Sequence, residues 1–359
     1  MFKYINILLS NDAVSFCYYK NSNDSKLISL KNLKKVIAFA TKNNLKINFI
    51  YNNQQLPDEY EKIIQTTDHS KIIPIENFSP ESLMIINYKN DKQIESLKDG
   101  ENNYILRLEK KYINNLNDII KSLIGKFKRL NLILLDIDKY NDNDLSDYNK
   151  QLKLLYNIIK PEYKNGNLFE LNFVTDRILL SKMKNCNAGI DHITYAPDGR
   201  FYICPGFYYD ETEDDFVIEK EGNIEIKNQY LFDIKNAPLC SKCDAFHCIR
   251  CVYLNQRSTL EVNTPSKQQC FISHYEREIS KNLLNSLRNY EPFNKMSEIP
   301  NISYTDPIEI FLQPKKNPNE RIIQKSNVKD NKNSNEKIID LLNQLLINQK
   351  TIIELLSKK

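Results

Sequence analysis

The sequence predicts an α/β protein: a partial (β/α) barrel of the TIM type, then a small Cys-rich module, then a C-terminal amphipathic helix. Three observations carry this expectation. Through residue 183, short apolar runs alternate with segments of helical period, the pattern of successive βα units and a parallel sheet. From residue 184 to about Cys270 the composition changes, bringing seven of the eight cysteines and four of the seven glycines. In the tail, Ile338, Leu341, Leu345, Ile352 and Leu355 fall at a 3-4 spacing, interrupted at Asn348, that Leu342, Leu346, Ile353 and Leu356 widen into a stripe.

The first strand is read over residues 4–9. Ser29 is a candidate N-cap for a helix over 32–42, because its hydroxyl can accept from an N–H of the first turn. Residues 46–51 form the next strand, and Pro57, tolerated where a helix start needs no donor, opens a helix over 58–65. Further strands are expected at 71–75, 83–88, 104–108, 130–136 and 168–174, with helices at 113–127 and 145–159. An open, doubly wound sheet would produce the same string, because periodicity says which residues are strand and not which strands are neighbours. Residues 191–195 and 201–204 read as two strands around Pro197-Asp198-Gly199-Arg200, where Pro presets φ and Gly accepts a positive one. Asp198 and Arg200 are then turn residues, and the hairpin aims Cys204 inward.

The resulting division is a barrel over 1–183, the Cys-rich module over 184–285, a linker over 286–335 and a helix over 336–359. The linker holds Pro292, Pro300, Pro307, Pro314 and Pro318 among Lys and Asn, a composition poor in apolar surface to bury. The tail helix is a candidate homodimer contact through 338–356, a docking helix, or a helix packed on the chain's own body.

At 359 residues, 41% hydrophobic and 27% charged, the chain has the composition of a folded protein. A net charge of +4 is too balanced for the clustered positive surface that nucleic acid requires, so no nucleic-acid partner is expected. No apolar run approaches the roughly 18–20 residues of a membrane span, and no secretory signal is recognised. A cytoplasmic location follows as the expectation. Its cysteines should stay reduced, which points to metal binding or catalysis.

Four thiols lie within twelve residues, at Cys240, Cys243, Cys248 and Cys251, joined by Cys186, Cys204 and Cys270. Zinc would be satisfied by the first four alone. Seven cysteines also fit two cubane iron-sulfur clusters, one of them short of a protein thiolate. The order Cys186, Gly199, Cys204, then the knot and the lone Cys270, resembles the SPASM domain of radical SAM peptide-modifying enzymes. The resemblance implies two auxiliary [4Fe-4S] clusters, the first held by Cys186, Cys204 and Cys251 and the second by Cys240, Cys243, Cys248 and Cys270. Two intervals in the knot are one residue shorter than the family's pattern, which leaves the assignment of Cys248 and Cys251 open. Some family members place a fourth ligand of the first cluster where His192 stands, so His192 is a candidate ligand and an open iron is the alternative. His247, between cluster cysteines, could tune a cluster through a hydrogen bond to sulfur or simply be exposed.

A radical SAM enzyme also carries CxxxCxxC after its first strand. Laying the last cysteine of that motif on Cys17 puts Val14 and Ser10 at the other two positions, with Phe16 and Tyr18 as flanking aromatics. Cys17 reads as the remnant of such a motif, or as an ordinary buried cysteine. The glycine-rich stretch that contacts the cosubstrate is missing from 50–90, so S-adenosylmethionine is not an expected cofactor. Residues 4–9, 15–19 and 170–173, taken with the cysteines, are similar to the CXXX repeat peptide maturases over roughly residues 1–285. That resemblance implies a maturation factor for Cys-containing ribosomal peptides, with a Cys-rich precursor peptide and a catalytic radical SAM enzyme as candidate partners. An active enzyme working at an auxiliary cluster and a zinc-stabilised peptide-binding scaffold are the alternatives, and no catalytic side chain is assigned. Asp136 and Asp138, at a strand's C-terminal end where barrel sites lie, are the one acid/base pair to note.

Overall fold

A run of apolar, β-favouring residues at Tyr4–Leu8 forms the interior strand β1, with Ile5, Ile7 and Leu8 fully buried. Around it the computed structural model describes residues 2–183, 186–210, 216–220 and 223–302. Strands β2 (Lys46–Ile50), β3 (His69–Pro74), β4 (Leu83–Asn87), β5 (Asn102–Leu108), β6 (Phe127–Leu134) and β7 (Glu170–Leu171) follow β1 in chain order, each parallel to the last. This order has no reversal. A doubly wound sheet needs one, because right-handed crossovers cover the second face only when the strand order turns back. The arrangement is therefore singly wound, as a barrel is.

On its other side β1 pairs in parallel with β8 (His192–Tyr195), and β9 (Phe201–Tyr202) pairs antiparallel with β8. Among the described residues no ladder joins β7 to β9, so the barrel is not closed. The β8–β9 turn is the expected one, with Gly199 at φ +87 and Asp198 accepting from the Arg200 backbone N–H and from the Tyr202 hydroxyl. Strands β10 (Val217–Lys220) and β11 (Asn223–Ile226) form a separate hairpin.

Helix α1 (Leu30–Lys42) starts where Ser29 caps it, its hydroxyl accepting from Asn32 N–H at 3.1 Å. Helix α2 (Asp58–Ile64) follows Pro57, and α3 (Asp91–Glu95) was not anticipated. The helix expected over 113–127 is shorter: a 3-10 turn leads into α4 (Leu116–Leu123), Gly125 at φ +87 ends it, and Phe127 already belongs to β6. Helix α5 (Asp142–Lys164) is longer than expected at both ends, because an Asn141–Asp144 capping box starts it early and Pro161 sits in its last turn without ending it.

Helices α6 (Asp176–Leu179), α7 (Pro205–Tyr209), α8 (Val252–Thr259) and α9 (Lys267–Ser286) complete the elements that position the cysteines. Helix α9 went unanticipated, although Ser266 and Gln269 form a capping box. It packs on α5, where the Tyr148 hydroxyl donates to Glu276 at 2.6 Å.

Residues 287–302, expected as the start of the linker, are packed instead. Leu287, Phe293 and Ile299 are buried, Phe293 stacks on Tyr163 at 5.5 Å, and Pro300 O accepts from Arg277 at 2.7 Å. Composition averages over a window and misses three apolar residues that each find a socket. The rest of that linker, the helix over 336–359 and the dimer contact through 338–356 lie outside the described residues. No helix among the described residues is long and apolar enough to cross a membrane.

Candidate metal centre

Parallel strands leave their connecting loops at the C-terminal ends, and the loop after β1 carries Cys17 there. Arg107, next to the end of β5 and 6% exposed, pins this loop: its guanidinium donates to Cys17 O at 2.9 Å, Tyr19 O at 2.6 Å and Asn87 Oδ1 at 2.6 Å. The positions that would hold the other two sulfurs of a CxxxCxxC motif are otherwise engaged. Ser10 donates to Asp12 Oδ1 at 2.5 Å, and the Val14 side chain is buried.

Cys17 comes near a sulfur distant in sequence, since its thiol and that of Cys251 shift one another's titration. Two residues on, Tyr19 stacks on Tyr209 of α7 at 5.3 Å and 12°. Helix α7 begins at its N-cap Cys204, and α8 begins at its N-cap Cys251, whose sulfur accepts from Leu254 N–H at 3.4 Å. The two helices touch where Gly206 faces the Tyr253 ring; a Cβ on Gly206 would stand 2.4 Å from that ring. Cys186 joins the group beside Arg250, its Sγ 3.7 Å from the Arg250 carbonyl oxygen. Cys17, Cys186, Cys204 and Cys251 thus form one neighbourhood.

The second neighbourhood is built on the knot and α9. Cys240 and Cys243 bracket a single 3-10 turn. Cys270, Ser273 and His274 fall at i, i+3 and i+4 along α9 and so share a face. From that face Ser273 lines a cleft together with Cys248, and His274 Nε2 lies 3.8 Å from Cys243 Sγ. Cys240, Cys243 and Cys270 all act electrostatically on Cys248. Tyr18, Cys248, Ser273 and Glu276 line a cleft that also reaches Asn172 at the end of β7.

Burial holds most of these thiols protonated. It pushes Cys186 up to about 11, with the nearby Cys17 charge adding to the effect, and raises Cys204 and Cys248 well above the ordinary thiol range. In the Cys17–Cys251 pair, the hydrogen bond from Cys251 lowers Cys17 and raises its donor. Arg250 lies between the neighbourhoods, 1% exposed, its charge felt from Cys186 on one side and from Cys240 and Cys248 on the other. It donates to Phe232 O at 2.9 Å. Asp244 ties the knot to α9 and α6 by bridging Arg277 at 2.6 Å and Arg177 at 2.9 Å. Arg107, Arg250 and His274 escaped the sequence reading; a lone Arg inside the apolar run of β5, and another inside the cysteine knot, were the available signals.

His192 is buried on β8, stacked on Tyr4 at 4.7 Å, and burial depresses its imidazole to about 4. His247 is not exposed: its Nε2 lies 3.2 Å from Glu276. Asp138 pairs with Arg257 at 2.7 Å and Asp136 with Lys139 at 3.1 Å.

Among the described residues no three His, Cys, Asp or Glu side chains converge on one metal ion. A tetrahedral zinc site, with Zn–S of about 2.3 Å, wants its sulfurs about 3.8 Å apart. The thiolates of a cubane bind different irons and stand farther apart, so two all-sulfur donor sets, with Cys240 and Cys251 buried and the other thiols half-buried, suit iron-sulfur clusters in chemistry.

No family model matches the chain, and no curated protein matches it. Solved structures do. A structure of hexahistidine-tagged anSMEcpe with bound AdoMet aligns with a TM-score of 0.54 at 15% identity, over 80% of this chain and 96% of that one. Native anSMEcpe with bound AdoMet and Cp18Cys peptide aligns with a TM-score of 0.52 at 15% identity, over 79% and 99%. The likeness shows that this chain shares the fold of that protein.

Proposed function

We propose that the protein is an auxiliary-cluster factor of peptide maturation: it binds a Cys-containing precursor peptide and serves a separate radical SAM enzyme, without cleaving S-adenosylmethionine itself. One observation carries the reading. The sulfurs fall into two neighbourhoods, and the loop after β1 contributes only Cys17, with Ser10 and Val14 where a chelating triad would stand. The peptide partner is supported by a neighbour of the same fold crystallised with a peptide.

In this reading Cys186, Cys204 and Cys251 hold the first [4Fe-4S] cluster, and Cys240, Cys243, Cys248 and Cys270 the second. Such clusters supply one-electron transfer. The protein's own residues do the rest. Arg250 offsets negative charge on both sides, His274 Nε2 stands 3.8 Å from the Cys243 sulfur, where it would donate once that sulfur is a thiolate, and the Asp244 bridge holds the knot against α9. Burial opposes free thiolates here, so metal loading and thiol deprotonation are coupled.

The test is anaerobic iron and sulfide analysis. Wild type should bind about eight irons, and Cys186→Ala and Cys240→Ala should each lose about four. With S-adenosylmethionine and reductant the isolated protein should form no 5′-deoxyadenosine. Iron-free protein holding stoichiometric zinc would overturn the cluster reading, and 5′-deoxyadenosine would overturn the division of labour.

A further inference from the structure

We infer that Cys17, carried in the loop after β1, is the fourth protein ligand of the first cluster, so that Cys17, Cys186, Cys204 and Cys251 close a complete thiolate set and leave no iron open. The inference rests on the two-cluster reading above and changes its chemistry. With only three thiolates the first cluster would offer a site to a peptide cysteine; with four it transfers electrons and does not capture substrate.

The packing around the loop carries it. The Cys17 and Cys251 thiols are near enough to shift one another's titration. Tyr19 stacks on Tyr209, which seats the Cys17 loop on the helix that Cys204 begins, and Tyr208 adds a 2.6 Å hydrogen bond to Asn11 in that loop. Gly206 lies flush on Tyr253, which brings the Cys204 and Cys251 ends of α7 and α8 together. Cys186 Sγ sits against the carbonyl of Arg250, the residue before Cys251. Arg107 fixes the backbone of Cys17 and Tyr19 from beneath. A loop held at this many points positions its thiol.

The rival ligand is placed otherwise. His192 is on β8 with its ring packed face to face on Tyr4, so a strand of the sheet and not the Cys17 loop carries it, and the His192→Gln comparison decides between the two. The loop that in a radical SAM enzyme would bind its own cluster is, in this chain, drawn into the neighbouring one.

The test uses full-length protein loaded anaerobically, read by iron content and by the electron paramagnetic resonance spectrum of the reduced clusters. Cys17→Ser should either lose about four of about eight irons or retain them with an altered first-cluster spectrum, while His192→Gln keeps both the iron and the signal. Wild type probed with cyanide or a small thiol needs no substitution, and its spectrum should stay unchanged; cluster-retaining Cys17→Ser should respond. A Cys17→Ser protein with wild-type iron and spectrum, or a wild-type signal that shifts on adding thiol, overturns the assignment while leaving two clusters in place. Absence of iron from wild type defeats the underlying reading instead.

Discussion

Gly206→Ala should disturb the first neighbourhood and spare the second. A Cβ at this position would lie 2.4 Å from Tyr253 Cγ and 2.7 Å from both Cδ atoms, the part of the ring nearest its own backbone and least able to swing aside. Ordinary carbon contacts are about 3.5–4.0 Å, so α7 or α8 must give by about 1 Å. Overpacking of this kind costs about 1–3 kcal/mol. The displacement falls on the helices that start at Cys204 and Cys251, so their sulfurs part. Guanidinium unfolding of the anaerobic apoprotein measures the cost, and iron analysis of the loaded protein should show first-cluster iron falling while the second is kept. Tyr253→Ala removes the obstructing ring, so in that background the added methyl should be nearly free. A cost below about 0.5 kcal/mol, typical of a surface change, or the same cost with and without the ring, would refute the reasoning; the double-mutant cycle measures the difference directly.

Asp244→Asn should destabilise by about 3 kcal/mol or more, because Arg277 and Arg177, both nearly buried, lose their shared carboxylate; denaturant titration at neutral pH checks it. Asp144 anchors the α5 capping box and accepts from Lys110 at 2.6 Å. Burial opposes its charge, but the Lys110 and Asn141 hydrogen bonds outweigh burial and hold its carboxyl below the usual range. A depressed carboxyl stabilises the fold above its unfolded value of about 3.9 and loses that contribution as pH falls through the folded one. Asp144→Asn should therefore cost about 1 kcal/mol near neutrality and less in acid, as read from denaturation midpoints between neutral pH and pH ~3. With Cys243 a cluster thiolate, the His274 imidazole 3.8 Å away would donate to it, so His274→Phe should lower the reduction potential of the second cluster alone; redox titration of the two signals tests it.

The local elements were legible because they are set by neighbours in sequence. The β1 and β2 strands, the Ser29 cap, the β8–β9 turn with Gly199, and the crowding of Cys240, Cys243, Cys248 and Cys251 all follow from side-chain period, turn chemistry and spacing. The helix over 113–127 was overdrawn because the apolar period runs on past Gly125, whose positive φ breaks it. Strand order was decided only by tertiary structure: the same string of βα units permits a reversal or none, and long-range pairing chooses none. So was the company of Cys17. Read along the chain it is the remnant of a motif, yet the packing of Tyr19 on Tyr209 and of Gly206 on Tyr253 carries it to Cys251, 234 positions away by the numbering. Periodicity and spacing describe what a residue's neighbours in sequence make it do, and a meeting of two side chains across such a distance exists only once the whole core has buried.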